Sequence, residues 1–271
     1  MERRRRRQVL NLIFTAAGIL SAAYYITMKM NRSKLHRIYR YLIDWLYPNI
    51  CPCCNKHIAH DADFCESCKS SITRYTGSSA VSYTDGFAAF CVYDDFIRPA
   101  VLEFKKNDCG NTYYAFACGI DTAVKESVFC GDFDIIVPIP ITDAKMSERG
   151  YNQTELIAKE LRFLMDIPYN KVLIKVKDTS EQKSLKGVAE RKANTEDVFA
   201  VSSKAGDIKG KRILLIDDVC TTGSTLASAA KVLKEAGAGK VYAASFAKTE
   251  KKQRDTSENN TGNLCSADQQ D

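Results

Sequence analysis

Residues 213–225, ILLIDDVCTTGST, constrain the fold of this 271-residue chain more than any other segment. The first four residues form a continuous apolar run, which is typical of a strand buried on both faces of a parallel sheet. Leu226, Ala230 and Leu233 then recur at helical spacing, so residues 219–224 are expected to connect a strand to a helix. This order predicts an α/β fold in which helices flank a mainly parallel sheet.

The predicted loop between strand and helix carries groups that bind phosphate. A helix N-terminus presents backbone N–H groups that lack helical acceptors, and such groups bind anions. A glycine in the loop lets the backbone approach a ligand closely. The residues expected to hold the phosphate, most of them with hydroxyl groups, are Thr221, Thr222, Gly223, Ser224 and Thr225.

Two adjacent carboxylates, Asp217 and Asp218, precede this loop at the expected carboxyl end of the strand. They repel each other unless a cation or a pair of hydroxyl groups lies against them. Ligands of parallel sheets bind at this edge, so a ribose diol beside a bound phosphate fits both acids. The alternative is a strand that ends in acidic turn residues, which leaves the hydroxyl-rich loop unexplained.

The whole segment resembles the phosphoribosyl pyrophosphate (PRPP) motif of type I phosphoribosyltransferases, in its acid pair and its TTGST loop. The resemblance implies that Asp217 and Asp218 hold the ribose hydroxyls while the loop holds the 5′-phosphate. It also implies a transferase that displaces pyrophosphate from the ribose C1, with Mg²⁺ on the diphosphate. No residue stands out as a contact to an acceptor base or amine.

Residues near the predicted strand 135–137 form a second candidate site. A PIP motif ends this strand in a rigid turn at the same edge of the sheet. Arg149 and Gly150 follow near the start of the next predicted helix, where Arg149 is placed to hold pyrophosphate with two hydrogen bonds. In the alternative, Arg149 is a solvated turn residue and Asn152 only caps the helix.

Four cysteines near the front of the chain have the spacing of a zinc site. Two C-x-x-C pairs separated by ten residues suit tetrahedral Zn²⁺, and their members are Cys51, Cys54, Cys65 and Cys68. Four sulfur ligands leave no position for water, so the metal is expected to be structural. Cys53 is then spare, and His57 and His60 are expected to be solvated. Disulfides are the alternative, but the other cysteines show no pairing pattern, which favours a reducing, cytoplasmic location.

A four-cysteine knuckle before a phosphoribosyltransferase-like domain resembles the ComF family, which is linked to bacterial competence and DNA uptake. Residues 92–108, 137–161 and 180–199 are similar to that family in the same order, so the likeness covers residues 46–249. It implies PRPP binding and work alongside DNA-uptake proteins. A non-catalytic PRPP sensor acting through partners is the competing class. A DNA-binding zinc protein is a third class, which rests only on the knuckle and the basic N-terminus.

Residues 179–194 are polar and lie between two apolar runs, so they are expected to form a long loop. The loop is basic through Lys183, Lys186, Arg191 and Lys192. The family resemblance implies a lid over pyrophosphate. A solvated loop without ligand contact is the alternative.

The N-terminal segment allows several interpretations. Arginines at 3–7 supply much of the net charge of +6, which is therefore weak support for nucleic-acid binding by the folded part. Residues 9–28 are largely apolar and about long enough to cross a bilayer, which predicts a membrane anchor. The alternative is a misassigned start upstream of Met28 or Met30. A secretory signal ranks last, because export conflicts with the cysteines and with a PRPP site.

A helical pattern directly precedes the knuckle. Ile38, Leu42, Trp45 and Leu46 fall at helical spacing, which predicts a short helix with an apolar stripe against the core. Aromatic residues interleaved with basic ones are the alternative, since they can stack on single-stranded DNA.

The predicted organisation has four parts. These are an N-terminal segment at 1–45, a zinc knuckle at 46–78, a phosphoribosyltransferase-like domain at 79–249 and a polar tail at 250–271 that is expected to be disordered.

Overall fold

The computed structural model describes residues 32–46, 48–106, 112–131, 133–176, 198–203 and 205–250. In chain order the helices and strands of this part are α1 Arg32–Leu46, α2 Glu66–Ser71, β1 Gly86–Val92, α3 Arg98–Lys106, α4 Thr112–Glu126, β2 Ile135–Pro138, α5 Asp143–Arg149, α6 Gln153–Leu164, β3 Leu173–Lys175, β4 Phe199–Val201, β5 Arg212–Cys220, α7 Ser224–Glu235 and β6 Lys240–Lys248.

A parallel sheet forms the centre of the described structure. Its strand order is β1-β6-β5-β2, and every neighbouring pair is parallel. The apolar run at 213–216 lies in β5, where all four side chains are buried. The predicted α/β fold with a mainly parallel sheet is therefore confirmed. A small antiparallel ribbon of β3 and β4 lies outside this sheet.

Alternate residues of β5 pack into two cores on opposite faces of the sheet. Leu214 and Ile216 belong to the core that includes α4 and α6, whereas Ile213 and Leu215 belong to the core that includes α7 and the β3–β4 ribbon. Such two-sided burial requires an apolar side chain at every position, because successive residues of a strand point to opposite faces. The sheet is thus covered by helices on both sides, and its carboxyl edge is left for loops.

The cysteine-rich segment packs on the first of these cores. Cys51, Phe64 and Cys68 are buried in it. The ring of Phe64 stacks on Phe246 of β6 at a centroid distance of 6.3 Å, and Phe246 stacks in turn on Phe116 of α4. The segment is therefore anchored to the domain by apolar contacts.

Helix α1 forms where the helical pattern predicts it, but the predicted orientation is wrong. Ile38, Leu42 and Trp45 are 51%, 60% and 85% exposed. The buried face instead carries His36 and Arg40, which lie four residues apart and so share one side of the helix.

Polar partners hold this buried face of α1. His36 Nε2 lies 2.7 Å from Glu160 Oε2 on α6, and the His36 ring stacks on Phe163. The Arg40 guanidinium lies 3.3 Å from the centre of the Tyr114 ring and donates to the His60 carbonyl. These contacts determine which face of α1 is buried, although the hydrophobic periodicity predicts the other face. Buried charged groups are tolerated when they are paired.

Three predictions fall outside the described residues: the candidate anchor at 9–28 with the rest of residues 1–31, the candidate lid at 179–194, and all of the predicted tail except Glu250. Within the described ranges, no helix is both long and apolar enough to cross a membrane.

Candidate functional site

The connection between β5 and α7 is a three-residue turn at the carboxyl edge of the sheet. Strand β5 ends at Cys220 and α7 begins at Ser224, with Gly223 as its N-cap. Gly223 has φ +82°, a conformation that disfavours other residues. A Cβ atom there would also lie 3.2 Å from Val81 Cγ2. Glycine is therefore favoured by both the backbone and the packing.

The loop residues predicted to hold phosphate are brought together at this turn. Thr221, Thr222, Ser224 and Thr225 are exposed, and Gly223 is buried beneath them. The Ser224 N–H donates to Thr222 Oγ1 at 3.3 Å, and the hydroxyls of Thr222 and Ser224 are 3.0 Å apart. The turn thus presents hydroxyl groups and first-turn N–H groups to solvent at the N-terminus of a twelve-residue helix.

The two acids lie directly before this turn, inside the last residues of β5. Asp217 Oδ1 accepts from the Asp218 N–H at 2.9 Å, and Asp218 Oδ1 accepts from the Val219 N–H at 2.7 Å. Asp217 keeps some exposed surface, although protein atoms surround its carboxyl group. This burial, and next the charge of Asp218, raise the pKa of Asp217 well above its usual range.

Asp218 has a cationic partner that the sequence did not indicate. Lys105 Nζ, at the end of α3, lies 2.9 Å from Asp218 Oδ2. The two carboxylates therefore differ: the charge of one is compensated by a lysine, and the other is held among protein atoms. No sequence signal connects Lys105 with the acid pair, because the two lie far apart in the chain and lysine at a helix end is common on solvated surfaces.

The segment after β2 reaches the same edge. Pro138 pairs with Ile216, and the next N–H, of Ile139, donates to the Ile216 carbonyl at 3.0 Å. Asn152 Nδ2 and Thr154 Oγ1 both donate to the Ile139 carbonyl. These bonds place the N-terminus of α6 beside the end of β5, next to the acids.

The structure places Arg149 and Gly150 on the turn between α5 and α6. Arg149 is the last residue of α5 and half-buried, and Gly150 caps that helix with φ +79°. Asn152 Oδ1 accepts from the Thr154 N–H, so its predicted alternative role as a helix cap is confirmed. Within the described part of the chain, the Arg149 guanidinium has neither a carboxylate partner nor a hydrogen-bond acceptor.

Four cysteines form the candidate metal centre. The Sγ atoms of Cys51, Cys54, Cys65 and Cys68 all lie within 4.8 Å of one another. Tetrahedral Zn²⁺ with sulfur ligands requires separations of about 3.8 Å, which follow from Zn–S bonds of about 2.3 Å. The cluster therefore fits Zn²⁺ closed on all four sides, and a closed site is structural.

The remaining candidates of this segment stand apart from the four ligands. Burial raises the pKa of the Cys53 thiol to about 12, so it stays protonated, whereas the Cys68 backbone N–H lowers the pKa of Cys65 to about 6. His57 is exposed and His60 half-buried, and among the described residues neither joins the cluster. The choice of ligands from the spacing is thus consistent with the geometry.

Comparison with known proteins gives matches to both parts of the chain. Residues 149–265 match the phosphoribosyl transferase domain, and residues 42–79 match the double zinc ribbon domain. Competence protein ComFC of Bacillus subtilis is 30% identical over 189 residues, which cover 70% of this chain and 73% of that protein. Competence protein F of Haemophilus influenzae is 34% identical over 105 residues, 38% of this chain and only 45% of that protein, so the match spans less than half of its length.

Among solved structures, glutamine PRPP amidotransferase from Bacillus subtilis aligns with a TM-score of 0.38 at 20% identity, over 53% of this chain and 30% of that one. The parallel sheet, the matched domain and the four-cysteine cluster define a phosphoribosyltransferase-like protein with a structural zinc ribbon. Given the extent of the ComFC match, the chain belongs to the ComF family.

Proposed function

We propose that the carboxyl edge of β5 binds PRPP or a closely related sugar phosphate. The observation that carries this proposal is the acid pair lying directly before a turn of exposed hydroxyl groups at a helix N-terminus. In this proposal Asp217 and Asp218 hold the ribose diol, while the 5′-phosphate lies on the turn at 221–225. Arg149 and Gly150, on the neighbouring turn, bind the pyrophosphate group.

The proposed reaction is transfer of the phosphoribosyl group. The bond between C1 and the pyrophosphate oxygen breaks, both bonding electrons leave with pyrophosphate, and an acceptor nitrogen forms the new bond to C1 and releases its proton to solvent. Asp218, which lies against Lys105, stabilises the positive charge that develops on the sugar. Mg²⁺ bound with PRPP neutralises charge on the diphosphate.

The biological setting that we propose is DNA uptake. The relatives are named competence proteins, and the YhgH proteins that share 30% identity over 109 residues are named DNA utilization proteins. We propose a cytoplasmic protein that works with DNA-uptake proteins or with single-stranded DNA, and that is held at the membrane by residues 9–28. Its zinc knuckle occupies residues 46–78 and its PRPP-binding domain residues 79–249.

Calorimetric titration of the full chain with Mg²⁺ and PRPP tests the proposal. We expect saturable binding that Asp217→Asn and Asp218→Asn each weaken by about 1 to 3 kcal/mol, because in this proposal each carboxyl group contacts a ribose hydroxyl and an amide replaces one of its two oxygens. Asp134→Asn is a matched control, since its carboxylate caps the amino end of β5, where it accepts from the Arg212 N–H. A folded wild-type chain without saturable binding would refute the proposal.

Release of pyrophosphate separates the two functional classes. Turnover of bound PRPP that depends on an added base or amine supports the transferase. Tight binding without turnover across acceptors supports the alternative, a PRPP sensor that acts through partners.

A further inference from the structure

Lys248, the last residue of β6, is a buried cation beside the phosphate turn. Only 8% of its surface is exposed. Its ammonium donates to the Thr221 carbonyl at 2.6 Å and to the Thr249 carbonyl at 3.1 Å. Since Thr221 is the first residue of the turn, Lys248 fixes the point where the turn leaves the sheet. It also places a positive charge directly under the turn.

The charge of Lys248 has no ion-pair partner in the part of the chain that the structure describes. Across the described ranges, no carboxylate lies within 4.0 Å of its Nζ, whereas Lys105 has Asp218 and Lys234 has Asp85. Burial of an ammonium group is costly without an anion nearby, and two carbonyl oxygens satisfy only two of its three donors. The Thr249 Oγ1 at the same end of β6 is also buried and has no hydrogen-bond partner among the described residues. A buried ammonium that has two carbonyl acceptors for its three donors and no carboxylate partner among the described residues indicates that the anion comes from a ligand.

Purely structural tethering is the simpler explanation, since the two carbonyl bonds join β6 to the turn. A neutral donor does this equally well, however, and at a lower desolvation cost. Lysine at this position is explained better by its charge. The turn whose Thr221 carbonyl accepts from Lys248 also carries hydroxyl and N–H groups that can bind an anion.

We propose that Lys248 is the buried counter-charge of a phosphomonoester dianion bound at residues 221–225. The site therefore selects a phosphorylated sugar over a free sugar or a nucleoside. This inference rests on the proposed function, because it assumes that the turn binds the ligand. It assigns a positioning and specificity-determining role to a residue that the sequence pattern did not single out.

The test uses the full chain and two probes, ribose 5-phosphate and Mg²⁺-pyrophosphate, each measured by calorimetry. Lys248→Met should lower the affinity for ribose 5-phosphate by about tenfold or more and change that for Mg²⁺-pyrophosphate by less than about twofold. Lys248→Arg keeps the charge and should restore most of the loss, whereas Lys248→Gln keeps only a donor and should not. Lys240→Met is the matched control, because Lys240 is exposed at the opposite end of the same strand.

The outcomes separate this inference from the proposed function. If the wild-type chain binds neither PRPP nor ribose 5-phosphate, both fail, whereas binding of PRPP without any binding of ribose 5-phosphate refutes the counter-charge role alone. If the wild-type chain and Lys248→Met bind ribose 5-phosphate equally well, the counter-charge role alone is refuted. It is also refuted if Lys248→Gln binds this probe as tightly as Lys248→Arg does. An equal loss for both probes would also refute it, because that result indicates general damage to the fold. If Lys248→Met does not fold, the affinities of Lys248→Arg and Lys248→Gln for ribose 5-phosphate decide whether the charge is needed.

Discussion

Asp217 and Asp218 are adjacent residues of the same type, but their carboxyl groups lie in different surroundings. Asp218 lies 2.9 Å from the Lys105 ammonium, while the pKa of Asp217 is raised by burial and then by the charge of Asp218. An ionised carboxylate only accepts hydrogen bonds, whereas a protonated one also donates. A ribose diol both donates and accepts, so the pair matches it better than two equal carboxylates would.

The acid pair makes a prediction about stability that does not depend on any ligand. A carboxyl group whose pKa is raised on folding stabilises the protein at pH below its unfolded value of about 4, and that contribution is lost as the pH rises through the folded value. Asp217→Asn cannot ionise. We expect it to raise the free energy of unfolding by about 1 kcal/mol at pH 8, with a smaller gain at pH 5. Denaturant unfolding at the two pH values measures this.

Asp218→Asn is the matched comparison for that experiment. It leaves Lys105 without its partner, so we expect a loss of about 1 kcal/mol at pH 8. If both substitutions shift stability in the same direction, the proposed difference between the lysine-paired acid and the acid with the raised pKa is wrong.

Among the residues of the candidate site, the sequence predicted those that are adjacent in the chain and missed those that come from distant segments. Asp217, Asp218 and the residues of the turn follow one another in the chain, so local chemistry indicated them. Lys105 and Lys248 come from other elements and reach the turn only through the fold. A lysine at the end of a helix or strand has no sequence signal that distinguishes a buried ammonium from a solvated one.

At the scale of elements, the β5–α7 connection depends on one glycine. Gly223→Ala should lower the free energy of unfolding for two reasons. A left-handed backbone costs a residue with a Cβ about 1 kcal/mol, and the new Cβ also lies against Val81, so the total loss should exceed that backbone cost. Gly206→Ala is the control. It has φ +70° and nothing within 4 Å of the added Cβ, so only the backbone cost applies. Denaturant unfolding of both variants checks the difference, and equal losses would contradict a packing role for Gly223.

Helix α1 illustrates why the orientation of an element is harder to predict than its existence. The 3.6-residue periodicity predicted the helix, but its apolar stripe faces outward. The partners of His36 and Arg40 lie on α6 and α4, so the reason for their burial is invisible in the local sequence. By contrast, residues 213–216 of β5 are all apolar, so their burial on both faces of the sheet could be predicted directly from the sequence.

At the scale of the whole molecule, the zinc ribbon and the domain share one core. Phe64 lies in the ribbon and stacks on Phe246 at the centre of the domain. The sequence predicted both units and the parallel sheet. It did not predict the strand order or the contact between the units, since these depend on tertiary packing.

This shared core predicts that zinc stabilises the entire chain. We expect about one Zn²⁺ per chain by metal analysis of protein purified without chelator. Cys68→Ser should lose the metal and lower the unfolding midpoint by several degrees, since 1 kcal/mol corresponds to about 2 to 4 °C at this size. Cys53→Ser is the control and should retain the metal. Protein without stoichiometric zinc, or an unchanged midpoint in Cys68→Ser, would contradict a structural zinc site.

The central claim is that the turn at residues 221–225 binds the phosphate of PRPP. Hydrogen exchange of the backbone amides, measured with and without Mg²⁺-PRPP, tests it most directly, because these N–H groups are the proposed donors. We expect exchange at residues 222–225 to slow by about tenfold or more on binding, while the amides of β1 at the far edge of the sheet keep their rates. Binding of PRPP that leaves exchange at this turn unchanged would contradict the claim.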